Sequence, residues 1–165
     1  MQFNHIGISV TDIDRSIAFY RDMLGMEPLC EVFPFGGPDF EAIMDLPGAT
    51  GRMCMIAKDN LQLELFQFTS SKAKDAEYPV SDRGYSHFGV VVEDIAGTYQ
   101  KLRAAGVRIH SPVITFNGGS MKAIYCRDPD GNVFEIMEPG KSRRLVVCAE
   151  HTQGGSSPPR CDGGK

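Results

Sequence analysis

Apolar and polar residues alternate along FNHIGISV (residues 3–10), and the alternation returns along YSHFGVVV (85–92). A period of two marks a strand with one face buried. Each strand leads into apolar positions at helical spacing. Ile13, Ile17, Tyr20 and Leu24 form the first stripe, which Thr11 or Asp12 can cap and Gly25 stops. Ile95, Tyr99 and Leu102 form the second, with Asp94 as cap and Gly106 as stop. Two further strand patterns, KDNLQLELFQF (58–68) and PDGNVFEIMEP (129–139), close the two halves.

The halves are copies. At an offset of 82, His5, Gly7, Val10, Asp12 and Ile13 coincide with His87, Gly89, Val92, Asp94 and Ile95; at an offset of 71, Asp59 and Glu64 coincide with Asp130 and Glu135. Two matched segments in the same order exceed what two unrelated strand–helix units share. The change of offset puts about eleven extra residues in the first half, around FPFGGPDFEAIMDLPGATG (33–51). The pattern therefore predicts an α+β chain of two tandem βαβββ modules, 1–70 and 83–139, joined by the polar linker SKAKDAEYPVSD (71–82) into one domain, 1–139. Beyond it, glycine, serine and proline dominate, and residues 140–165 are expected to be a flexible tail in which LVVCA (145–149) is at most an edge strand.

Alternation sorts the side chains into faces. Ile6, Ile8 and Val10 oppose His5, Gly7 and Ser9; Phe88, Val90 and Val92 oppose His87, Gly89 and Val91. Leu61, Leu63 and Leu65 oppose Glu64, and Phe134 and Ile136 oppose Glu135. The aliphatic faces suit the covering helices. The other faces then carry His5, Glu64, His87 and Glu135, with a glycine making room beside each imidazole. Two imidazoles and two carboxylates on a cavity suit a divalent ion without thiolate ligands: zinc, nickel, iron(II), manganese or cobalt. Four ligands on an ion that takes six leave room for substrate, and one carboxylate, Glu64 or Glu135, can serve as a base beside the metal.

Composition narrows the classes. The chain has 165 residues and a net charge of −4, which disfavours a nucleic-acid surface. No apolar run reaches membrane-span length, and the first residues do not read as a signal peptide. The five cysteines, Cys30, Cys54, Cys126, Cys148 and Cys161, are scattered without a CxxC pair, which favours reduced thiols in a cytoplasmic protein. Cys148, His151 and Cys161 in the tail are too sparse for a metal site.

HIGISVTDIDRSIAFYRDMLGM (5–26) and RDPDGNVFEIMEP (127–139) resemble the opening strand–helix and the closing strand of the vicinal oxygen chelate superfamily, which includes glyoxalase I, methylmalonyl-CoA epimerase, extradiol dioxygenases and bleomycin-resistance proteins. The resemblance implies a U-shaped, barrel-like metal-binding cleft, a homodimer, and metal ligands at His5, Glu64, His87 and Glu135. Glutamate at position 64 favours the glyoxalase and epimerase style of site over the two-histidine, one-glutamate iron site of the dioxygenases. Glyoxalase I holds glutathione through an arginine four residues after the first ligand and an asparagine four after the second; Ser9 and Phe68 stand there in this chain, so glutathione specificity is not expected.

The insertion 31–51 has glycine and proline at both ends of the short helical piece PDFEAIMDL. It reads either as a lid over an apolar substrate site or as a helix on a dimer interface or sheet edge. Phe33, Phe35, Phe40, Phe66, Phe68, Phe116 and Tyr125 are candidate walls of that site. The expected activity is a divalent-metal (zinc, nickel, cobalt or manganese) lyase, isomerase or epimerase on a small molecule that chelates the ion through two oxygens, with Glu135 or Glu64 moving the proton. An iron(II) ring-cleaving dioxygenase is the first alternative, and a metal-free protein that sequesters a small molecule the second. Substrate, native metal, and whether one chain or two supply the ligands stay open.

Overall fold

The computed structural model describes residues 1–71 and 78–140. The first module runs β1 (Ile6–Ser9), α1 (Ile13–Leu24), β2 (Glu27–Pro28), β3 (Phe33–Phe35), α2 (Pro38–Met44), β4 (Gly51–Lys58) and β5 (Leu61–Phe68). The second runs β6 (Phe88–Val91), α3 (Ile95–Ala104), β7 (Arg108–Ile109), β8 (Ile114–Phe116), a 3-10 turn, β9 (Met121–Arg127) and β10 (Val133–Pro139). Each forms one five-stranded sheet, in the order β1-β5-β4-β2 with β3 also on β4, and β6-β10-β9-β7 with β8 also on β9. The second strand of each βαβββ unit is thus interrupted, as β2/β3 and as β7/β8. The sheets are open rather than closed into a barrel.

The repeat extends to the polar caps. Asp12 caps α1 by accepting from the Asp14 and Arg15 amides, and Gly25 ends it at φ +70°. Asp94 caps α3 by accepting from the Gly97 amide, and Gly106, at φ +73° just past the Ala105 cap, turns the chain out of α3. At the first helical position, the Ile13 amide donates to Gln67 Oε1 (3.1 Å) and the Ile95 amide to Glu138 Oε2 (2.8 Å). Gln67 and Glu138 are again related by the offset of 71. Amides that would otherwise lack an intrahelical partner are met by the sheet strand that carries each candidate glutamate.

The helices cover the aliphatic faces as expected, but those faces also meet each other across the modules, in place of the histidine and glutamate faces. Ile8, Val10, Leu63, Leu65, Phe88, Phe134 and Ile136 share one buried cluster with Ile13, Tyr20, Ile95 and Leu102 from the helices. The Phe19 ring stands edge-on to Phe134, and the Tyr20 ring packs on Phe88, so α1 touches both sheets.

The hairpin loops are where the copies part. Lys58 pairs with Leu61, so Asp59 and Asn60 alone turn β4 into β5, with Asp59 at φ +52°. In the second module, Arg127 pairs with Val133, and residues 128–132 form a longer loop that reaches the first module. Asp128 Oδ1 accepts from the Asp130 and Asn132 amides, and Gly131 turns the chain at φ +86°. Asp128 Oδ2 accepts from Tyr20 Oη (2.8 Å), Asp130 pairs with Arg15 (2.8 Å) and accepts from the Thr11 amide and hydroxyl, and Asn132 Nδ2 donates to Ser9 O (3.3 Å). The DPDGN stretch is a clasp between modules. Burial pushes the Asp128 carboxyl up against the pull of these donors, and burial with the nearby Asp128 charge pushes the Tyr20 hydroxyl well up.

Residues 72–77 of the linker and 141–165 of the tail, with the expected edge strand 145–149 and with Cys148, His151 and Cys161, lie outside the described residues. Tyr20→Phe removes one donor from a buried carboxylate while keeping the ring. It is expected to destabilise the fold by about 1–3 kcal/mol, read as a lower urea midpoint at unchanged slope; an unchanged midpoint would show that the clasp bears no weight.

Candidate metal-binding half-sites

Parallel pairing sets the geometry. Gly7 lies opposite Glu64 in the β1–β5 register, and Gly89 opposite Glu135 in β6–β10. The histidine two residues before each glycine therefore reaches back over the strand toward the carboxylate. His5 Nε2 stands 3.0 Å from Glu64 Oε2, and His87 Nε2 stands 3.5 Å from Glu135 Oε2. A Cβ at Gly89 would sit 3.6 Å from Glu135 Oε2 and 2.7 Å from Met137 Cε, so glycine leaves the carboxylate and the methionine their space. Both glutamates are half-buried, with side-chain exposures of 19% and 15%, on the strand faces opposite those that α1 and α3 cover.

The other nitrogen of each ring is held too. His5 Nδ1 bonds Asn4 Oδ1 (2.7 Å), and His87 Nδ1 bonds Ser86 Oγ (2.9 Å). A partner on Nδ1 fixes ring orientation and directs the Nε2 lone pair outward, as around metal-bound histidines. Asn4 and Ser86 are functional candidates absent from the sequence reading. Their one signal is that both are short polar residues preceding a histidine, at the offset of 82.

The two pairs are not identical. Glu135 lies opposite Tyr125 on β9, whereas Glu64 lies opposite Met55 on β4. Tyr125 Oη is 3.1 Å from His87 Nε2, in reach of the same nitrogen as Glu135. Burial and the Glu135 charge raise the Tyr125 pKa, so the hydroxyl is protonated at neutral pH and available as a donor.

The expected quartet comes together two by two. Among the described residues, no three histidine, cysteine, aspartate or glutamate side chains gather at metal-binding spacing. His5–Glu64 belongs to one sheet and His87–Glu135 to the other.

The insertion folds over the Glu64 face. Phe35 is buried against Phe40, Phe66 and Phe68, with ring centroids 5.2–5.5 Å apart. Met53, opposite Phe66, and Ala49 complete a separate small cluster. Four of the seven candidate wall aromatics therefore stand together beside Glu64, and Tyr125 stands beside His87. Phe33 and Phe116 lie apart, exposed at 40% and 43% on the short strands β3 and β8. A cavity of about 370 Å³ lies elsewhere, between residues 78–86, β1 and the start of β10; it touches Gly7 and Ser9 but none of the four candidate ligands. Among the described residues, no helix is long and apolar enough to cross a membrane.

The family model described as Glyoxalase/Bleomycin resistance protein/Dioxygenase superfamily matches residues 2–136. The chain belongs to this superfamily. Within it, the chain is 29% identical over 138 residues to the lactoylglutathione lyase of Haemophilus influenzae, covering 84% of this chain and 93% of that one. It is 28% identical over 138 residues to a probable chloroplastic lactoylglutathione lyase of Arabidopsis thaliana, covering 82% of this chain but only 35% of the longer plant protein. The fold is similar to that of a glyoxalase family protein from Bacillus cereus, at a TM-score of 0.75 and 20% identity, covering 84% of this chain and 94% of that one.

The aromatic cluster depends on Gly51. A Cβ there would meet Gln67 O at 2.2 Å and the Phe35 ring at 2.6 Å. Backbone cannot yield as a side-chain tip can, so Gly51→Ala is expected to cost about 1–3 kcal/mol and dislodge Phe35. Thermal unfolding checks the first effect and side-chain NMR of the phenylalanines the second; a variant that keeps both stability and the Phe35 contacts would refute the packing.

Proposed function

We propose that this superfamily member is a divalent-metal-dependent lyase, isomerase or epimerase acting on a small molecule that binds the ion through two oxygens. The observation that carries the reading is the duplicated His–Glu pair, with each imidazole Nε2 and carboxylate oxygen aimed at one point and each Nδ1 held from behind. Nitrogen and oxygen donors of this kind fit zinc, nickel, cobalt or manganese. His5 and Glu64 would hold the ion from one side and His87 and Glu135 from the other.

One chain keeps the pairs apart, so we infer a homodimer in which His5 and Glu64 meet His87 and Glu135 of the partner subunit. The faces that carry the pairs lie away from the shared aliphatic core and suit such an arrangement, and each dimer would then hold two sites.

A bound ion would supply positive charge that polarises a carbonyl group of the substrate. The chain's own residues do the rest. Asn4 and Ser86 hold the imidazoles in register. Glu64 and Glu135 are the bases in reach of a carbon next to that carbonyl, and the Tyr125 hydroxyl donates a hydrogen bond beside Glu135. Phe35, Phe40, Phe66 and Phe68 exclude water from the Glu64 side and offer an apolar wall.

The relatives' names point to lactoylglutathione as a substrate, and this chain departs from that. Glu64, Phe66 and Phe68 on β5, with Met55, Met53 and Gly51 opposite, present no cation to a glutathione carboxylate. Arg127 is committed to Gly131 O, Tyr78 O and His110 Nε2. An apolar substrate suits these walls better. The free thiols at Cys30, Cys54 and Cys126 are in keeping with a cytoplasmic protein.

Elemental analysis of protein purified without added metal or chelator tests the reading. About one zinc, nickel, cobalt or manganese ion per chain is expected, lost in His5→Ala. Glu64→Gln and Glu135→Gln should each lower turnover of an accepted substrate by about a hundredfold or more. Iron, with oxygen uptake on catechols, would replace this reading with the ring-cleaving dioxygenase, which the aromatic wall also suits. Protein that neither carries nor takes up metal would leave only a sequestering binder.

A further inference from the structure

We propose that Cys30 and Cys54 are a peroxide-sensitive dithiol that closes reversibly into a cross-strand disulfide at the base of the insertion. The ladder between β2 and β4 pairs Glu27 with Ala57 and Pro28 with Ile56. It runs on past the end of β2, because the Leu29 amide donates to Met55 O at 2.8 Å. One more step of the same register sets Cys30 opposite Cys54. In an antiparallel pair, the position next to a hydrogen-bonded one brings its residues closest, with Cα atoms about 4.5 Å apart. That spacing lies within what a disulfide spans, about 4.4–6.8 Å.

The side chains bear this out. Cys54 Sγ donates to Cys30 O at 3.3 Å, which puts the buried thiol against the backbone of Cys30. Both are free, Cys30 exposed to solvent and Cys54 fully buried among the aliphatic residues under the helix. Burial first, and the neighbouring Cys30 second, push the Cys54 thiol up to about 11, so it is protonated at neutral pH. The pair therefore divides the labour. Cys54 shares its face with Ile56, whereas Met53 and Met55 share the Glu64 face, so the dithiol stands on the opposite side of β4 from the His5–Glu64 pair.

The chemistry balances with hydrogen peroxide as the oxidant. The Cys30 thiolate attacks one peroxide oxygen, the O–O bond breaks, and Cys30 becomes a sulfenic acid with hydroxide leaving. The Cys54 sulfur then attacks the Cys30 sulfur, its proton passing to the sulfenic hydroxyl, which leaves as water, while the proton that Cys30 lost on ionising neutralises the first hydroxide. In sum, two thiols and one peroxide give one disulfide and two waters. Because Cys54 Sγ already lies against the Cys30 backbone, the sulfenic acid closes before further oxidation.

The position gives the bond a consequence. Residues 30–32 span the gap between the Leu29–Met55 bond and Phe33–Met53, where β3 resumes the pairing. Phe35 on β3 anchors the aromatic cluster beside Glu64. A Cys30–Cys54 link ties that junction to the middle of β4 and so restrains the insertion at its root.

The test treats the reduced full-length chain with a small excess of hydrogen peroxide. Remaining thiols are capped with N-ethylmaleimide, and the protein is digested for mass spectrometry. The expected product is one Cys30–Cys54 linked peptide pair, two hydrogens lighter than the uncapped reduced peptides and reversed by dithiothreitol. Cys30→Ser, at an exposed position, should abolish it. Cys54→Ala should instead leave a dimedone-reactive sulfenic acid at Cys30. The proposal is overturned if Cys30 is recovered as a capped thiol, if it proceeds to sulfinic acid while Cys54 is still capped, or if it joins Cys148 or Cys161.

Discussion

In each sheet, a short edge strand runs parallel to the strand that carries the glutamate, with a glycine opposite that glutamate. The side-chain period of a strand is two, so a slip of one residue would turn Ile6, Ile8 and Val10 out to water and His5 into the core. The buried aliphatic face therefore locks the polar one. About 1.5–3 kcal/mol accompanies full burial of each large aliphatic side chain, and Ile8, Leu63, Leu65, Phe134 and Ile136 all lie on the locking side. The His–Glu spacing is a by-product of core packing rather than of any attraction between the two groups. The caps obey the same register, since Gln67 and Glu138 reach the helix starts from three residues beyond each glutamate.

A duplicated scaffold invites divergence where the fold does not forbid it, and the copies diverge at loops and at one strand position. The tight Asp59–Asn60 turn keeps to its own module, while the DPDGN loop spends its side chains on α1 and β1 of the other. The opening motif and the closing motif are thus in contact in three dimensions: Thr11, Arg15 and Tyr20 meet Asp128 and Asp130. This part of the family signature acts here by holding modules together and touches neither His–Glu pair. At the strand position, Met55 opposes Glu64 and Tyr125 opposes Glu135, which makes one half-site apolar at its side and the other hydrogen-bonding.

Most of this architecture was legible in the chain because it is periodic. Alternation located the strands and their faces, helical spacing and capping residues located α1 and α3, and the two offsets paired His5 with His87 and Glu64 with Glu135. What was not legible is whatever a pattern leaves unspecified. A repeat states equivalence and says nothing of distance, so the separation of the four candidate ligands into two pairs waited for the structure. Asn4 and Ser86 are single polar residues before a strand, without period or motif. The seven aromatics looked alike in sequence, but only Phe35, Phe40, Phe66 and Phe68 share a cluster, because Phe33 and Phe116 sit on strands of three residues that leave them exposed. Cys30 and Cys54 lie far apart in the chain and meet only through the register of β2 on β4.

The proposal that a second copy completes the metal site is tested most directly by subunit mixing. His5→Ala and His87→Ala chains, carrying different tags, are co-expressed, and the mixed dimer is isolated for metal analysis. If each site takes its two halves from different chains, the mixed dimer keeps one intact donor set and binds about half the metal of the unmodified dimer, while each parent dimer binds none. A mixed dimer as empty as its parents would contradict the shared site, because every donor set confined to one chain would then be broken.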